Sequence, residues 1–263
     1  MERGVRQRAL ITGASSGIGR SLARVFAAHG YDLVLVARRE ALLRTVAADL
    51  QAATQASIDI LAGDLATADG ALRVYDELRT RNVHIDVLVN NAGFGLQGSF
   101  AELPLDRQLE MIELNVTALT SLSRLLLPGM LARNRGGILN VASTAAFQPG
   151  PGMAVYYASK AYVLSFTEAL VEEVAGTAVR ISCLAPGPTH TGFAAAAGMT
   201  GSRLFRMGAM SADRVARLGF AGWRGGKPIV VPGARNRAGA FALRFAPRAV
   251  VRKLVKRLNT VTR

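Results

Sequence analysis

The sequence predicts a single α/β domain built on a doubly wound parallel sheet of about seven strands, with helices on both faces. Short apolar or β-branched runs alternate with longer helix-like segments along the chain, which is the βαβ rhythm of such a fold. Most of the short runs are continuously apolar rather than alternating, as in strands that are covered on both faces. A length of 263 residues suits one domain of this class, predicted to span residues 1–263.

The predicted elements follow one another in the order that this fold requires. Strands are expected at 8–12, 32–37, 57–62, 85–90, 137–142, 179–184 and 228–231. Helices are expected between them at 16–28, 40–53, 67–80, 104–132 and 154–175. In an open α/β sheet, ligands bind beyond the carboxyl ends of the strands, so residues that follow the strands are expected to line one cleft.

A glycine-rich turn, TGASSGIG, joins the first strand to the first helix. Gly13 allows a tight turn, Gly17 lets the backbone approach a ligand closely, and Gly19 permits close packing of helix on strand. The N-terminus of the helix then presents free N–H groups, which favour a phosphate. The order strand, glycine turn and helix predicts a Rossmann-like dinucleotide site, although the spacing is GxxxGxG and not GxGxxG.

Two arginines end the second predicted strand and indicate which dinucleotide is preferred. Arg38 and Arg39 stand where folds that prefer NAD place an acidic residue against the ribose 2′-hydroxyl. A guanidinium forms charge-assisted hydrogen bonds with a 2′-phosphate, whereas a carboxylate would repel it. The sequence therefore predicts NADP(H), with Arg38 as the main contact and Arg39 as an auxiliary one, and leaves NAD(H) as the second candidate.

The segment VYYASKAY contains a tyrosine and a lysine four residues apart on a predicted helix. Tyr156 and Lys160 are therefore expected to lie on the same helix face. A nearby cation favours the phenolate, so Lys160 is expected to lower the pKa of Tyr156 and make it a proton donor and acceptor. Tyr157, three residues before Lys160, is a competing phenol, to which we assign a structural or substrate-facing role.

Taken together, the motifs resemble those of the short-chain dehydrogenases/reductases, in order and spacing, over most of residues 1–190. The residues that carry the resemblance are Thr12 to Gly19 (TGASSGIG), residues 90–93 (NNAG), Asn115, Ser143, Tyr156, Lys160, Pro186 and Gly187.

The resemblance implies an oxidoreductase that transfers a hydride between a nicotinamide and a carbonyl or carbinol carbon. It implies that Tyr156 protonates the substrate oxygen during reduction, and that Ser143 hydrogen-bonds to the same oxygen. Lys160 is implied to hold the ribose hydroxyls of the nicotinamide as well as to tune the phenol. Asn115 resembles the residue that positions a water linking the lysine to solvent.

The resemblance also implies a set of cofactor-binding residues beyond the two arginines. Asp64 and Leu65 would flank the adenine, and the segment PGPTHT would cap the nicotinamide. The remaining implied contacts, which include the catalytic pair, are Gly13, Ser15, Ser16, Gly17, Ile18, Gly19, Asn90, Asn91, Ala92, Gly93, Tyr156, Lys160, Pro186, Gly187, Thr189 and Thr191.

Residues 192–226 are predicted to form a lid over the substrate. Soft apolar side chains in this stretch favour a hydrophobic ketone or alcohol as the small-molecule substrate: Phe193, Met199, Leu204, Phe205, Met207 and Met210. A reductase of 3-oxoacyl thioesters is the alternative, favoured if the arginines of 203–224 flank the pocket. A different class of function, a non-catalytic NADP(H)-binding sensor or membrane-associated adaptor, disagrees with the intact catalytic set.

Charge is distributed very unevenly along the chain. Residues 1–202 contain 17 Lys+Arg and 17 Asp+Glu, whereas residues 203–263 contain 15 Lys+Arg and the single Asp213. The C-terminal segment, about 236–263, is predicted to be basic and amphipathic, with a helix that starts near Pro247. Its apolar stripe is consistent either with peripheral membrane contact or with packing on protein, and the sequence leaves the choice open. Nucleic acid is not expected, because no recognition motif accompanies the charge.

Other features limit the remaining classes of function. The three histidines lie far apart without ligand spacing, so no metal is predicted. The one cysteine, Cys183, lies in an apolar run and is expected in the core. The sequence shows no secretory leader and no membrane-spanning run, so we expect a cytoplasmic protein. A homo-oligomer, dimer or tetramer, is expected.

Overall fold

The computed structural model of the chain describes residues 6–199 and 208–259, and these adopt the predicted α/β architecture. The strands in chain order are β1 Arg8–Thr12, β2 Asp32–Ala37, β3 Ile58–Ala62, β4 Val87–Asn90, β5 Gly137–Val141, β6 Arg180–Leu184, β7 Thr189–His190, β8 Met210–Ser211 and β9 Ile229–Val230. Seven of them form one sheet in the order β3-β2-β1-β4-β5-β6-β9, and every neighbouring pair is parallel. The predicted fold class is confirmed.

Helices lie between the strands, close to the predicted positions. They are α1 Gly17–Ala28, α2 Glu40–Ala53, α3 Gly70–Thr80, α4 Leu105–Ile112, α5 Ala118–Ala132, α6 Ala154–Glu173, α7 Phe193–Ala196, α8 Ala212–Arg224, α9 Ala234–Ala242 and α10 Arg248–Asn259. The long helix predicted at 104–132 is interrupted by a π-helical turn, Glu113–Thr117, between α4 and α5. A short 3₁₀ helix, Thr144–Phe147, follows β5.

Alternate residues of the central strands point into two different hydrophobic layers. Ile11 packs in a cluster with Phe26 of α1 and Trp223 of α8. Its neighbour Leu10 packs in the opposite cluster with Leu122 of α5. Because successive strand side chains face opposite sides of a sheet, consecutive central residues such as Ala9, Leu10 and Ile11 must all be apolar when both sides are covered. Cys183 is fully buried in β6, as expected of a core residue.

The predicted lid at 192–226 is too long, because its second half is a core helix. Helix α8 packs against α1, and its Trp223 is almost completely buried and donates a hydrogen bond to the carbonyl of Arg180 at 3.1 Å. Met210 packs against the same hydrophobic cluster. Residues 200–207, which include Leu204, Phe205 and Met207, lie outside the described residues. Within the predicted lid, the described segment next to the site is therefore that of α7 and Met199.

The basic C-terminal segment forms α9 and α10, and the apolar stripe predicted on α10 is divided. Val251 and Val255 are buried, whereas Val250 and Leu254 are exposed. The buried pair packs in one cluster with Tyr156 and other residues around it. Packing on protein thus accounts for half of the stripe. No helix within residues 6–199 or 208–259 combines the length and the apolarity needed to cross a bilayer.

The core position of α8 is tested by truncating its tryptophan. Replacing Trp223 with alanine removes a large buried side chain and a hydrogen bond, so we expect a loss of about 3–5 kcal/mol in the free energy of unfolding, measured with urea. Leu218→Ala is the control on the same helix, because Leu218 is 39% exposed, and should cost less than about 1 kcal/mol. A lid residue would instead change substrate affinity and leave stability unaltered.

Candidate active site

A cavity of about 720 Å³ lies at the carboxyl ends of the parallel strands. The glycine-rich turn forms one part of its wall, and Tyr156 forms another. The structure brings most predicted site residues to this cavity: Gly13, Ser15, Ser16, Gly17, Ile18, Arg38, Arg39, Asp64, Leu65, Asn91, Ala92, Gly93, Ser143, Tyr156, Lys160, Pro186, Gly187, Thr189 and Thr191. Three predicted residues, Gly19, Asn90 and Asn115, do not line it.

The glycine-rich turn has the geometry that its sequence predicts. Gly13 and Gly17 have φ angles of +65° and +54°, in the left-handed region that favours glycine. A Cβ atom at Gly19 would collide with the carbonyl oxygen of Gly13, so this residue acts through close packing and not by lining the cavity. Ser16 precedes α1 without making a side-chain capping hydrogen bond. The N–H groups of the first helical turn thus have no serine oxygen capping them and are available to an anion.

Asn90, which is expected to pass beneath the cofactor, does not line the cavity. Its side chain is buried at the end of β4 and donates hydrogen bonds to Ser123 Oγ at 3.1 Å and Asn140 Oδ1 at 2.9 Å. The next residue, Asn91, lies at the cavity and donates from Nδ2 to the carbonyl of Thr12 at 2.9 Å. Because side chains alternate along a strand, a shift of one residue exchanges a core amide for one at the site.

Arg38 lies beside the cavity in a small cluster of charges. Its Nη1 atom is 3.9 Å from Asp64 Oδ2 and 3.5 Å from Glu110 Oε1. Exposed ion pairs of this kind contribute little to stability. They hold the guanidinium near the cavity and are weak enough to be exchanged for contacts with a bound anion. Arg39 also lines the cavity and is the N-cap residue of α2. The carboxylate of Glu110 beside Arg38 was not expected from the sequence.

Tyr156 lies near the start of α6 with its ring among buried apolar side chains. Burial raises the pKa of its hydroxyl to about 12, and the nearby Ser143 side chain, which favours the phenolate, offsets only part of this rise. The expectation that Lys160 makes the phenol more acidic is wrong for this structure. The Lys160 Nζ atom is 5.9 Å from the centre of the Tyr156 ring, and removal of the phenolate from water dominates. Tyr156 is therefore a neutral phenol near pH 7.

Lys160 is buried on the next turn of α6, where its ammonium donates to the carbonyl oxygen of Val141 at 2.9 Å. Burial lowers the pKa of this lysine to about 8. A buried cation with one backbone acceptor destabilises the fold, which is typical of a residue kept for its chemistry. Its predicted contact with ribose hydroxyls stays a prediction.

Asn115 lies in the π-helical turn between α4 and α5 and is buried. Its side chain accepts from the N–H of Phe94 at 3.1 Å and donates to the carbonyl of Phe94 and to Ser159 Oγ, both at 3.0 Å. A Cβ atom at Gly93 would lie 2.8 Å from Asn115 Oδ1 and 3.4 Å from Lys160 Nζ, so glycine permits both to approach. Asn115 thus fixes the loop that ends in Phe94, and the π turn directs it there.

Tyr157 lines the cavity, and its hydroxyl forms a hydrogen bond within the protein. The hydroxyl donates to Asn259 Oδ1 at 3.0 Å, and Asn259 Nδ2 donates to the carbonyl of Pro151 at 3.1 Å. Gln97 also donates to the carbonyl oxygen of Asn259. Both halves of the expected role, structural and substrate-facing, are therefore consistent with its position.

Other residues at the cavity were missed from the sequence. The cavity is also lined by Phe94, Leu114, Gln148 and Met153, which carry no motif. Asn236, at the start of α9, lies against Gly187, where a Cβ atom would approach the asparagine amide to 2.6 Å. A single asparagine some fifty residues beyond PGPTHT gives no indication of this contact in the sequence.

Comparison with known proteins agrees with this geometry. A family model described as short chain dehydrogenase matches residues 7–200. A short-chain dehydrogenase from Sphingobium yanoikuyae, solved in complex with NADPH, is 32% identical with a TM-score of 0.82, covering 93% of this chain and 94% of that one. A short chain dehydrogenase/reductase from Burkholderia phymatum, solved with NAD, is 28% identical with a TM-score of 0.81, covering 92% and 94%.

A curated relative extends beyond the matched region. The very-long-chain 3-oxoacyl-CoA reductase of Homo sapiens is 32% identical over 189 residues, which are 70% of this chain and 59% of that protein. The chain therefore spans about three fifths of the length of this relative.

The buried lysine predicts a particular dependence of stability on pH. Since its pKa falls from an ordinary value of 10.5 to about 8 on folding, the unfolded chain binds more protons between these values, and the lysine destabilises the fold less as pH rises. Lys160→Met removes the free-energy cost of burying the charged ammonium. We expect the variant to be more stable by a few kcal/mol at neutral pH, on the order of 3. The difference should shrink as pH rises from about 8 to about 10, as measured by urea unfolding. A difference that does not change with pH would contradict the assignment.

Proposed function

The chain belongs to the short-chain dehydrogenase/reductase family, and we propose that it is an NADP(H)-dependent oxidoreductase acting on a hydrophobic ketone or its alcohol. The observation that carries the proposal is the neutral phenol of Tyr156, which lines one cavity together with Ser143 and the glycine-rich turn. A proton donor and a dinucleotide cradle in one cavity are what carbonyl reduction requires.

The cavity fits a dinucleotide. A Cβ atom at Gly17 would lie only 3.1 Å from the Thr191 side chain. A larger residue would therefore crowd the space between the glycine-rich turn and the PGPTHT segment. The uncapped first turn of α1 suits a pyrophosphate. Arg38 supports a 2′-phosphate contact, in agreement with the NADPH complex of the Sphingobium relative. NAD(H), which the Burkholderia relative was solved with, stays the second candidate.

The nicotinamide, when bound, supplies or accepts the hydride. The residues of this chain manage the proton and the substrate oxygen. During reduction Tyr156 releases the proton on its Oη atom to the oxygen of the substrate as the carbonyl becomes an alcohol. Ser143 donates from Oγ to the same oxygen and holds it in place. The Ser143 Oγ atom also accepts from the N–H of Ala145 at 3.1 Å, which orients it.

The apolar wall supports a hydrophobic substrate. Phe94, Met153, Phe193 and Met199 line the cavity on the side of Tyr156. Such a wall binds apolar groups and leaves few polar contacts to set orientation, which Ser143 and Tyr156 provide. Gln148 adds a polar side chain to the lining of the cavity.

Reduction of 3-oxoacyl thioesters is the second candidate, favoured by the similarity to the human 3-oxoacyl-CoA reductase. The arginines expected to flank the pocket do not support it within the described residues. Arg214, Arg217 and Arg224 lie on the core helix α8, and none of them lines the cavity. Arg203 and Arg206 lie outside the described residues. The proposal of a non-catalytic sensor or adaptor disagrees with the geometry at Tyr156, Ser143 and Lys160.

We also propose a homo-oligomer. Leu105, Leu109 and Ile112 of α4 are exposed, and so is Tyr162 of α6. The Tyr162 ring stacks on Phe166 and its hydroxyl contacts Thr120 Oγ1 at 2.9 Å. Exposed apolar side chains on two helices support a subunit contact, which light scattering measures directly.

The proton donor is tested by removing one hydroxyl. Tyr156→Phe should lower kcat by at least about 10²-fold, because general acid catalysis is lost, and should leave NADPH affinity nearly unchanged. Tyr157→Phe is the matched control, since it removes a neighbouring hydroxyl that hydrogen-bonds only within the protein. We expect the control to lower the melting temperature modestly and to keep hydride transfer. Stopped-flow measurement of nicotinamide absorbance distinguishes the two, and the reverse pattern would show that the wrong tyrosine is assigned.

Cofactor preference is tested at the end of β2. Arg38→Asp replaces a phosphate-binding cation with an anion, and loss of a charge-assisted contact of roughly 1.5–3 kcal/mol predicts about 10- to 150-fold weaker NADPH binding. NADH binding should change little or improve. Arg79→Asp, an exposed arginine on α3, is the control for the change in net charge. Calorimetric titration that gives equal NADPH affinity for Arg38→Asp and the control would rule out the 2′-phosphate contact.

A further inference from the structure

Helix α9 contacts the protein only through partly buried residues such as Asn236. None of the residues Ala234–Ala242 is buried. Phe241 is 61% exposed and Phe245, just after the helix, is 75% exposed. Their rings contact each other with centroids 5.3 Å apart. An amphipathic element normally buries its apolar side chains, so two exposed phenylalanines in contact indicate a surface that is covered by a partner.

Helix α10 continues this exposed surface while its other side is anchored. Val251 and Val255 are buried, and Asn259 is held by Tyr157 and Gln97. These contacts fix the orientation of the helix, and they leave Val250 and Leu254 more than half exposed. The exposed side chains are four residues apart and lie on one face. Val250 and Leu254 are therefore exposed because the contacts on the other side of α10 fix its orientation.

Positive charge surrounds these apolar side chains. No aspartate or glutamate occurs after Asp213 in the sequence. The exposed basic residues of α9, α10 and the segment between them include Arg237, Arg244, Arg248, Arg252, Lys253 and Arg257. A surface of one sign favours an anionic partner and disfavours a second copy of itself, because a symmetric contact would bring like charges together.

We propose that the exposed faces of α9 and α10 form a basic–aromatic surface that docks on an anionic lipid bilayer. Phenylalanine and leucine side chains insert at the boundary between headgroups and acyl chains, while lysine and arginine contact the anionic headgroups. The combination favours a bilayer over nucleic acid, which offers no apolar phase to exposed Phe241 and Phe245. On this proposal the protein binds the bilayer peripherally through α9 and α10, and no helix of the described residues is long and apolar enough to span it.

The docking surface is separate from the proposed reaction. None of Phe241, Phe245, Val250 and Leu254 lines the active-site cavity. Substitutions on the surface should therefore leave turnover of a water-soluble ketone unchanged, so that failure of the docking proposal and failure of the proposed function can be distinguished.

The test is co-sedimentation of the full-length protein with vesicles. We expect binding to vesicles of phosphatidylglycerol and phosphatidylcholine, and little binding to pure phosphatidylcholine. Binding should fall as salt shortens the Debye length from ~10 Å at 0.1 M to ~3 Å at 1 M. F241S/F245S and R252E/K253E should each lower the partition coefficient about tenfold or more.

Matched controls carry the same chemical changes elsewhere on the surface. Phe100→Ser removes a phenylalanine that is 66% exposed, and R79E/R217E reverses two exposed arginines on α3 and α8. Both controls should bind vesicles as the unaltered chain does. Equal loss in the controls would show that net charge or general hydrophobicity drives binding, and would overturn the proposal.

Two further results would also overturn it. If F241S/F245S lowers the oligomeric mass in light scattering and the unaltered protein does not bind vesicles, a second copy covers the surface. If the unaltered protein binds an acidic polypeptide such as polyglutamate, and no vesicle binding is seen, the partner is an acidic protein. Circular dichroism and melting temperature of each variant confirm that it is folded before these comparisons are made.

Discussion

Thr12 and Asn91 tie together the two turns that frame the active-site cavity, and the rest of the site depends on this contact. Thr12 Oγ1 accepts from the N–H groups of Asn91 at 2.9 Å and Ala92 at 3.0 Å, and Asn91 returns a hydrogen bond from its side chain to the carbonyl of Thr12. Because β1 and β4 are neighbours in the sheet, these bonds fix the glycine-rich turn against the segment that ends at Gly93. Gly93 in turn gives Asn115 and Lys160 room to approach. The dinucleotide-binding part and the catalytic part are thus positioned by the same few hydrogen bonds.

Burial determines the chemistry of the two titratable groups on α6. Tyr156 and Lys160 both have pKa values displaced toward the uncharged form, one raised and the other lowered, and burial is the main cause of each. A phenol that stays neutral near pH 7 holds the proton that carbonyl reduction consumes. A lysine with a pKa of about 8 is still mostly charged at that pH, yet it destabilises the fold. The site is therefore built at the expense of stability, as buried ionisable groups in clefts commonly are.

The sheet could be predicted from the sequence, since unbroken apolar runs have few alternatives once glycine turns separate them. Because ligands bind beyond the carboxyl ends of parallel strands, most site residues could also be predicted to line one cavity. Which of Asn90 and Asn91 faces the cavity could not be predicted, because periodicity does not fix the last residue of a strand. Nor could the core position of Trp223, since a segment rich in glycine, alanine and arginine reads equally as lid or helix. The pKa of Tyr156 was predicted wrongly because spacing places a cation nearby but does not show how much water is excluded.

The C-terminal helix shows why two opposed interpretations of one pattern are compatible. Val250, Val251, Leu254, Val255 and Leu258 form a single stripe when only the helical period is considered. Adjacent positions on a helix are rotated by about 100°, so the protein surface divides this stripe into an inner pair and an outer pair, with Leu258 partly buried. The inner pair packs in the cluster of Tyr156 and Tyr157, and Asn259 fixes the end of the helix by accepting from Tyr157. Since one rigid helix carries both faces, the position of the exposed pair is set by the wall of the active site. Whatever covers the outer face is therefore held at a fixed orientation to the cavity.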